Sequence, residues 1–127
     1  MVNAATEDYS QHVAAAAEPL DYGQSEFDAV GLNATPSVKV KPPRVAESPW
    51  AFECRTLQVF HIDPASPDAG NVVIGRVVHV FIRDDLVNER MYVDPEKLRA
   101  IGRMGGRGYC TTRDRFEMQR GLGALEK

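Results

Sequence analysis

The part of this chain that comes closest to a ligand-binding motif is the glycine-rich segment 102–109. A dinucleotide fingerprint follows a strand and opens a helix, so that the helix N-terminus meets the pyrophosphate. Here the glycines follow a predicted helix, and their spacing matches neither that fingerprint nor the Walker pattern. Spacing alone favours a helix end followed by a tight turn. The alternative is a loop whose backbone amides, with Arg103 or Arg107, face an anionic or planar ligand, with Tyr109 as a stacking ring.

The remaining titratable residues indicate no acid–base machinery. His79 lies inside the strongest predicted strand, where a histidine is more often packed or hydrogen-bonded than catalytic. Asp84 and Asp85 are neighbours, and neighbours in a strand point to opposite faces. Glu53 and Arg55 share a strand face and are expected to pair with each other or with an adjacent strand. We therefore predict no catalytic residue.

The cysteines and histidines do not form a metal-binding pattern. Cys54 and Cys110 are far apart in the sequence, and the three histidines have no ligand spacing with them or with each other. We predict two unpaired thiols inside or beside the core, and no metal site.

Composition indicates one ordinary globular domain. The chain has 127 residues, 43% hydrophobic and 26% charged, with a net charge of −3. This balance argues against nucleic acid or an anionic membrane as the main partner. No apolar run reaches the ~18–20 residues of a membrane span, and the first residues do not resemble a secretory signal. A cytoplasmic protein is expected.

Short helices are predicted to flank the middle of the chain. The first begins with Thr6 as its cap and ends at Glu18, before a proline. The second covers 26–30 and is closed by Gly31. Neither has a wide apolar stripe, so both are suited to covering a sheet or a pocket. A third begins with Asp94 as its cap and ends at Gly102.

Strands dominate between residues 38 and 82. A short strand is predicted at 38–41 and a long one at 51–62, with a bulge near Thr56. The strand at 72–82 is apolar on both faces, which predicts burial on both faces in a barrel. Gly75 within it indicates a bend or a close backbone approach. The pattern predicts an α+β fold built on an antiparallel barrel.

Several stretches, in order, resemble the flavin reductase-like, FMN-binding split-barrel family. The resemblance covers nearly the whole chain up to residue 118, leaving 119–127 as a C-terminal tail. It involves residues 27–32, 36–45, 47–54, 73–80, 93–98 and 101–109.

The resemblance covers only the later part of the family domain. It implies that the first barrel strands and the stretch that grips the FMN phosphate are missing. The expected fold is therefore an incomplete antiparallel split β-barrel with short covering helices. Exposed sheet edges are normally paired or covered. Either the chain is therefore a fragment, through natural truncation or a misplaced start, or a partner chain completes the sheet.

The resemblance also implies a function. The family works as homodimers that bind FMN near the interface, take hydride from NAD(P)H and pass electrons to a monooxygenase or another acceptor. By position, Asn3 would lie in the flavin pocket, while Arg103, Gly105, Gly106 and Tyr109 would border the flavin. The cofactor carries the chemistry, which agrees with the lack of catalytic residues.

Two alternatives remain open at this stage. The chain could be a non-catalytic, dimerising β-module that binds no flavin. It could also be an FMN-binding electron carrier without its own NAD(P)H site. If the chain is instead a flavin reductase, as the resemblance implies, FMN binding and flavin reduction are expected to be weakened or lost without the phosphate-gripping stretch.

Overall fold

The structure is a computed structural model that describes residues 1–66 and 69–125. Its centre is a long two-stranded antiparallel ribbon formed by β4 (Trp50–Ile62) and β5 (Gly70–Ile82). The short strand β1 (Val2–Asn3) pairs with the start of β4, so the order of this sheet is β1-β4-β5. In the described part of the chain the sheet stays open and forms no closed barrel. The predicted α+β split-barrel architecture, incomplete and with short helices, is confirmed.

The ribbon contains the predicted irregularities. Its register shifts once between Thr56 and Gln58, which confirms the bulge expected near Thr56, and once more between Glu53 and Cys54. Opposite the first shift, a Cβ on Gly75 would lie 3.2 Å from the Cβ of Cys54. Gly75 thus marks the close approach that the sequence indicated, since a side chain there would force the two strands apart.

The prediction that β5 is buried on both faces is wrong for this chain. Val72, Val73 and Ile74 are 50%, 59% and 45% exposed. Among the described residues, β5 pairs only with β4, so one edge and much of both faces lie open. The apolar pattern therefore does not correspond to burial in the described chain, because β5 has a partner strand on one side only.

The N-terminal helical region is shorter than predicted. A 3-10 turn at Glu7–Tyr9 leads into α1 (Ser10–Ala15). The Thr6 side chain makes no capping hydrogen bond. The helix ends at Ala15 instead of Glu18 because the amides of Ala17 and Glu18 bond back over three residues in tighter turns.

The second helix is as predicted, whereas the strand after it is not. α2 spans Glu26–Val30 and ends at Gly31, whose φ of 70° is left-handed. A hairpin of β2 (Ala34–Thr35) and β3 (Arg44–Val45) then replaces the strand expected at 38–41. The chain between its two strands bends because its amides donate to a carboxylate on β4, as described below.

The C-terminal third contains a second hairpin. After a 3-10 turn at Asp84–Leu86, α3 (Pro95–Leu98) begins as predicted, with the Asp94 carboxylate accepting from the next turn's amides. It ends before the predicted Gly102 because Arg99 adopts a left-handed φ of 51°. The chain then forms β6 (Ile101–Arg103) and β7 (Tyr109–Thr111). The glycine-rich segment is therefore a β-hairpin turn and not a helix end.

The core is small and lies where the N-terminal segment crosses β4. Its apolar members are Ala4, Tyr9, Ala51 and Leu86. The Tyr9 hydroxyl donates to the Ala4 carbonyl, so the buried ring keeps its polar atom satisfied. A 3-10 turn at Gly121–Leu125 lies in the predicted tail. Among the described residues, no helix is long and apolar enough to cross a membrane.

Candidate functional site

A cleft of about 550 Å³ opens between α1 and the β6–β7 hairpin. We call it the hairpin cleft. A volume of this size is in the usual range for small-molecule sites, which is roughly 300–1,000 Å³. Its walls are contributed by the N-terminal segment, by α1 and its C-terminal turn, and by the hairpin. The lining residues are Ala5, Val13, Ala14, Ala17, Ile101, Arg103, Gly106, Arg107 and Tyr109.

The hairpin turn is built by backbone hydrogen bonds that glycine permits. The Met104 amide donates to the Gly108 carbonyl at 2.9 Å, and the Gly108 amide donates to the Gly105 carbonyl at 3.1 Å. Gly106 has a left-handed φ of 59°, which favours glycine there. The Arg103 guanidinium donates to the Gly106 carbonyl at 3.3 Å and so leans across the turn.

The hairpin cleft has two chemically different sides. α1 and its C-terminal turn contribute an apolar wall of Val13, Ala14 and Ala17, whereas the hairpin contributes the guanidinium groups of Arg103 and Arg107. The Tyr109 side chain belongs to this cleft and also to an adjoining cleft of about 450 Å³. Such a surface suits a ligand that is planar and apolar over one part and anionic over another.

Glu7 lines the adjoining cleft but does not act as a free carboxylate. It accepts hydrogen bonds from the guanidinium groups of Arg113 and Arg99. The side-chain bond from Arg113 is the largest influence on its pKa, which lies below the ordinary range despite desolvation. Arg99 also pairs with Asp8 at 2.8 Å. Glu7 thus ties the N-terminal segment to the C-terminal third and stays ionised.

The structure brings most of the predicted site residues together. Arg103, Gly106 and Tyr109 line the hairpin cleft, and Gly105 belongs to the same turn. Asn3 lies apart from them on β1. Its side-chain Oδ1 accepts from the Val45 amide at 3.1 Å, so it holds the first hairpin in place and does not line the cleft.

The sequence analysis missed the apolar wall of the cleft. Val13, Ala14 and Ala17 lie on one face of a helical turn, and the spacing i, i+1, i+4 could have indicated this. The signal was weak because alanine adds little apolar area. Arg107 was considered as a ligand-facing residue, and the structure places it in the lining.

A second missed feature is the buried carboxylate of Glu53, which is only 2% exposed. The predicted pairing with Arg55 is wrong, because among the described residues this carboxylate forms no ion pair and bonds to backbone amides instead. Its two oxygens accept from the Val38 amide at 2.8 Å and the Lys39 amide at 2.5 Å. Burial raises the pKa of Glu53, but these amides and nearby His79 outweigh it, and the pKa is lowered. Glu53 thus anchors the loop between β2 and β3.

The thiols and histidines form no reactive cluster in the described residues. Both cysteines are free, and Cys54 is half-buried, but Cys110 is exposed, contrary to the expected place beside the core. His79 lies opposite Glu53 in the strand register. Among residues 1–66 and 69–125, no group of three or more potential ligands could hold a metal ion.

The open antiparallel sheet and the short helices belong to the split-barrel class of α+β fold. The chain belongs to the flavin reductase-like family, because the model of the flavin reductase like domain matches residues 1–102. The resemblance stated from the sequence is therefore confirmed. The match ends inside β6, so the turn of the hairpin and β7 lie beyond it.

Curated bacterial proteins share sequence with most of this chain. A protein of Deinococcus radiodurans described as uncharacterized is 39% identical over 101 residues, which are 77% of this chain and 42% of that protein. Another uncharacterized protein, from Halalkalibacterium halodurans, is 35% identical over 103 residues, covering 80% of this chain and 49% of that one. The chain spans about half the length of the curated relatives it matches.

Solved structures share the fold over nearly the whole chain. Nitrilotriacetate monooxygenase component B from Bacillus cereus has a TM-score of 0.84 at 24% identity, over 91% of this chain and 57% of its own. The 2-nitrobenzoate 2-nitroreductase of Pseudomonas fluorescens has 0.80 at 29%, over 94% and 58%. Flavoredoxin of Desulfovibrio vulgaris (Miyazaki F) has 0.77 at 19%, over 95% and 62%.

Proposed function

We propose that this chain is part of an FMN-binding flavin reductase and that the hairpin cleft holds one side of the flavin. The observation that carries the proposal is the cleft itself. It combines an apolar wall with an accessible tyrosine and two arginines. The tyrosine and the arginines belong to the hairpin, which the family resemblance implies lies beside the flavin. The similar solved structures support it, since their names are those of a monooxygenase component, a nitroreductase and a flavoredoxin.

The residues of the cleft fit a flavin. Gly105 and Gly106 leave open space, because a Cβ on either would meet nothing within 4 Å. Tyr109 offers a ring for stacking, and the alanines of α1 let a planar group approach closely. A bound flavin would supply the acceptor for hydride from NAD(P)H. The protein residues would bind and orient it and exclude water.

The β4–β5 ribbon supports a homodimer. Its faces carry exposed Val59, Phe60, Val72 and Val73, and its outer edge is unpaired in the described chain. Exposed apolar area of this kind marks an interaction surface, and an open edge invites another strand. We propose a second copy of the chain as the occupant. The same proposal includes a cytoplasmic location and a domain boundary near residue 118. It also includes a monooxygenase or another electron acceptor as the partner.

A titration of the purified chain with FMN, followed by flavin absorbance and fluorescence, tests the proposal. We expect FMN binding weaker than micromolar, because the resemblance implies that the stretch with which the family grips the FMN phosphate is missing from this chain. Tyr109→Ala should weaken it by about tenfold, given a stacking contribution of about 0.5–1.5 kcal/mol plus buried area. Tyr92→Ala, at another exposed tyrosine that does not line the cleft, is the control.

The outcomes separate the proposal from its alternatives. If no flavin binds, the proposal is contradicted and a non-catalytic, dimerising β-module is favoured. The exposed apolar ribbon agrees with that alternative as well. Flavin binding without consumption of NADH or NADPH would favour an electron carrier. Equal effects of the two tyrosine substitutions on FMN affinity would show that the flavin does not bind in the hairpin cleft.

A further inference from the structure

The two arginines of the hairpin cleft have no carboxylate partner among the described residues, unlike several other arginines of the chain. Four others each contact a carboxylate: Arg83, Arg99, Arg113 and Arg115. By contrast, Arg103 donates only to a backbone carbonyl, and Arg107 has no hydrogen-bond or ion-pair partner among the described residues. Among those residues no carboxylate lines this cleft either. Its rim therefore carries about two uncompensated positive charges.

The backbone of the same turn adds further donors. The amides of Gly105, Gly106 and Arg107 donate to no described residue, whereas those of Met104 and Gly108 close the turn. Successive free amides next to a left-handed residue are an arrangement that binds anions. Here they lie beside two guanidinium groups, which match a phosphate's geometry through paired donors.

We infer that this rim, made of Arg103, Arg107 and the free amides of the turn, binds a phosphate monoester of the nucleotide in the hairpin cleft. The inference rests on the proposed flavin reductase function. Arg107 is the discriminating residue, because its charge has no other partner among the described residues and the backbone bonds that close the turn do not involve it. Two nucleotides offer this chemistry, namely FMN through its terminal phosphate and NADPH through its 2′-phosphate.

Two ligand pairs that each differ by one phosphate test the inference and identify the source. Binding of riboflavin is compared with FMN, and binding of NADH with NADPH, by titration of the full chain. In one pair the phosphate-bearing member should bind about tenfold tighter or more, as expected for charge-assisted hydrogen bonds. Arg107→Gln should reduce that ratio to near one, because it removes a guanidinium group of the rim.

Arg90→Gln is the matched control, because Arg90 is exposed in a distant turn and its side chain has no described partner. It should keep the ratio of the unchanged protein. The inference is overturned if neither phosphate matters in the unchanged protein, or if Arg107→Gln keeps the ratio. Flavin binding without phosphate discrimination would defeat this inference alone. Failure of every flavin to bind would defeat the proposed function as well.

Discussion

At the scale of single residues, Glu7 does the most to connect distant parts of the chain. It bridges Arg99 and Arg113, which lie about a hundred positions away. The hydrogen bond from Arg113 is the main reason that its pKa is lowered in the folded chain. A carboxyl whose folded pKa lies below the unfolded value stabilises the fold above the unfolded pKa, and this contribution is lost as pH falls through the folded one.

The acid sensitivity of the fold is therefore predicted to depend on Glu7. Between neutral pH and pH ~5 the contribution is complete, and it should fade below the ordinary glutamate pKa of about 4.3. Glu7→Gln should lower stability at neutral pH and flatten the loss of stability between pH ~5 and ~3. Denaturant unfolding followed by circular dichroism across that range measures both effects. Glu18→Gln, at an exposed carboxylate without a described partner, should change neither; an unaltered acid profile in Glu7→Gln would refute the prediction.

The residues of the site show which parts of it sequence could predict. Arg103, Gly106 and Tyr109 fall within seven positions, and a local hairpin brings them together without help from the rest of the chain. The partner of Asn3 is the Val45 amide, 42 positions away. No spacing rule predicts such a contact, because it depends on how β1 and the first hairpin meet in the folded chain.

At the scale of elements, tertiary contacts decided where the predictions failed. The long strands 51–62 and 72–82 were recognisable from β-branched and apolar residues, and both formed with small changes in their ends. The short alternation at 38–41 indicated a strand equally well on paper. The buried carboxylate of Glu53 accepts from the amides of Val38 and Lys39 instead, and these hydrogen bonds outweigh the weak local preference for a strand.

The loop between β2 and β3 is accordingly predicted to depend on Glu53. Its two oxygens accept from two different amides, those of Val38 and Lys39. In Glu53→Gln only one oxygen remains to accept, so one amide loses its partner. Hydrogen exchange of these two amides should become about tenfold faster or more for at least one of them.

The control for this substitution is Glu89→Gln, at an exposed carboxylate with no described partner. It should leave exchange of both amides unchanged. Exchange in β4 separates loop release from general unfolding, because only the latter would raise it as well. Unchanged protection of both amides in Glu53→Gln would show that the loop is held by other contacts.

At the scale of the whole molecule, the exposed ribbon determines what the protein can do alone. Side chains paired across the two strands lie on the same face, so Val59 and Val73 share one face while Phe60 and Val72 share the other. Both faces are apolar and exposed. A ribbon of two strands is at best marginally stable when nothing covers it. The ribbon is thus expected to be ordered by the partner that covers it.

The proposed homodimer predicts a face-dependent response to charge. Val73→Asp and Val72→Asp each place an unpaired carboxylate on one face of the ribbon. Wherever the second copy covers that face, the buried charge should raise the dimer dissociation constant by about a hundredfold or more. Sedimentation equilibrium over a range of concentrations measures the constant.

Leu122→Asp makes the same kind of change at an exposed leucine outside the ribbon and should leave the dimer intact. If one valine substitution acts and the other does not, the responsive face is the interface. A chain that stays monomeric before any substitution, at every concentration, would rule out the second copy and leave another polypeptide to cover the apolar strands.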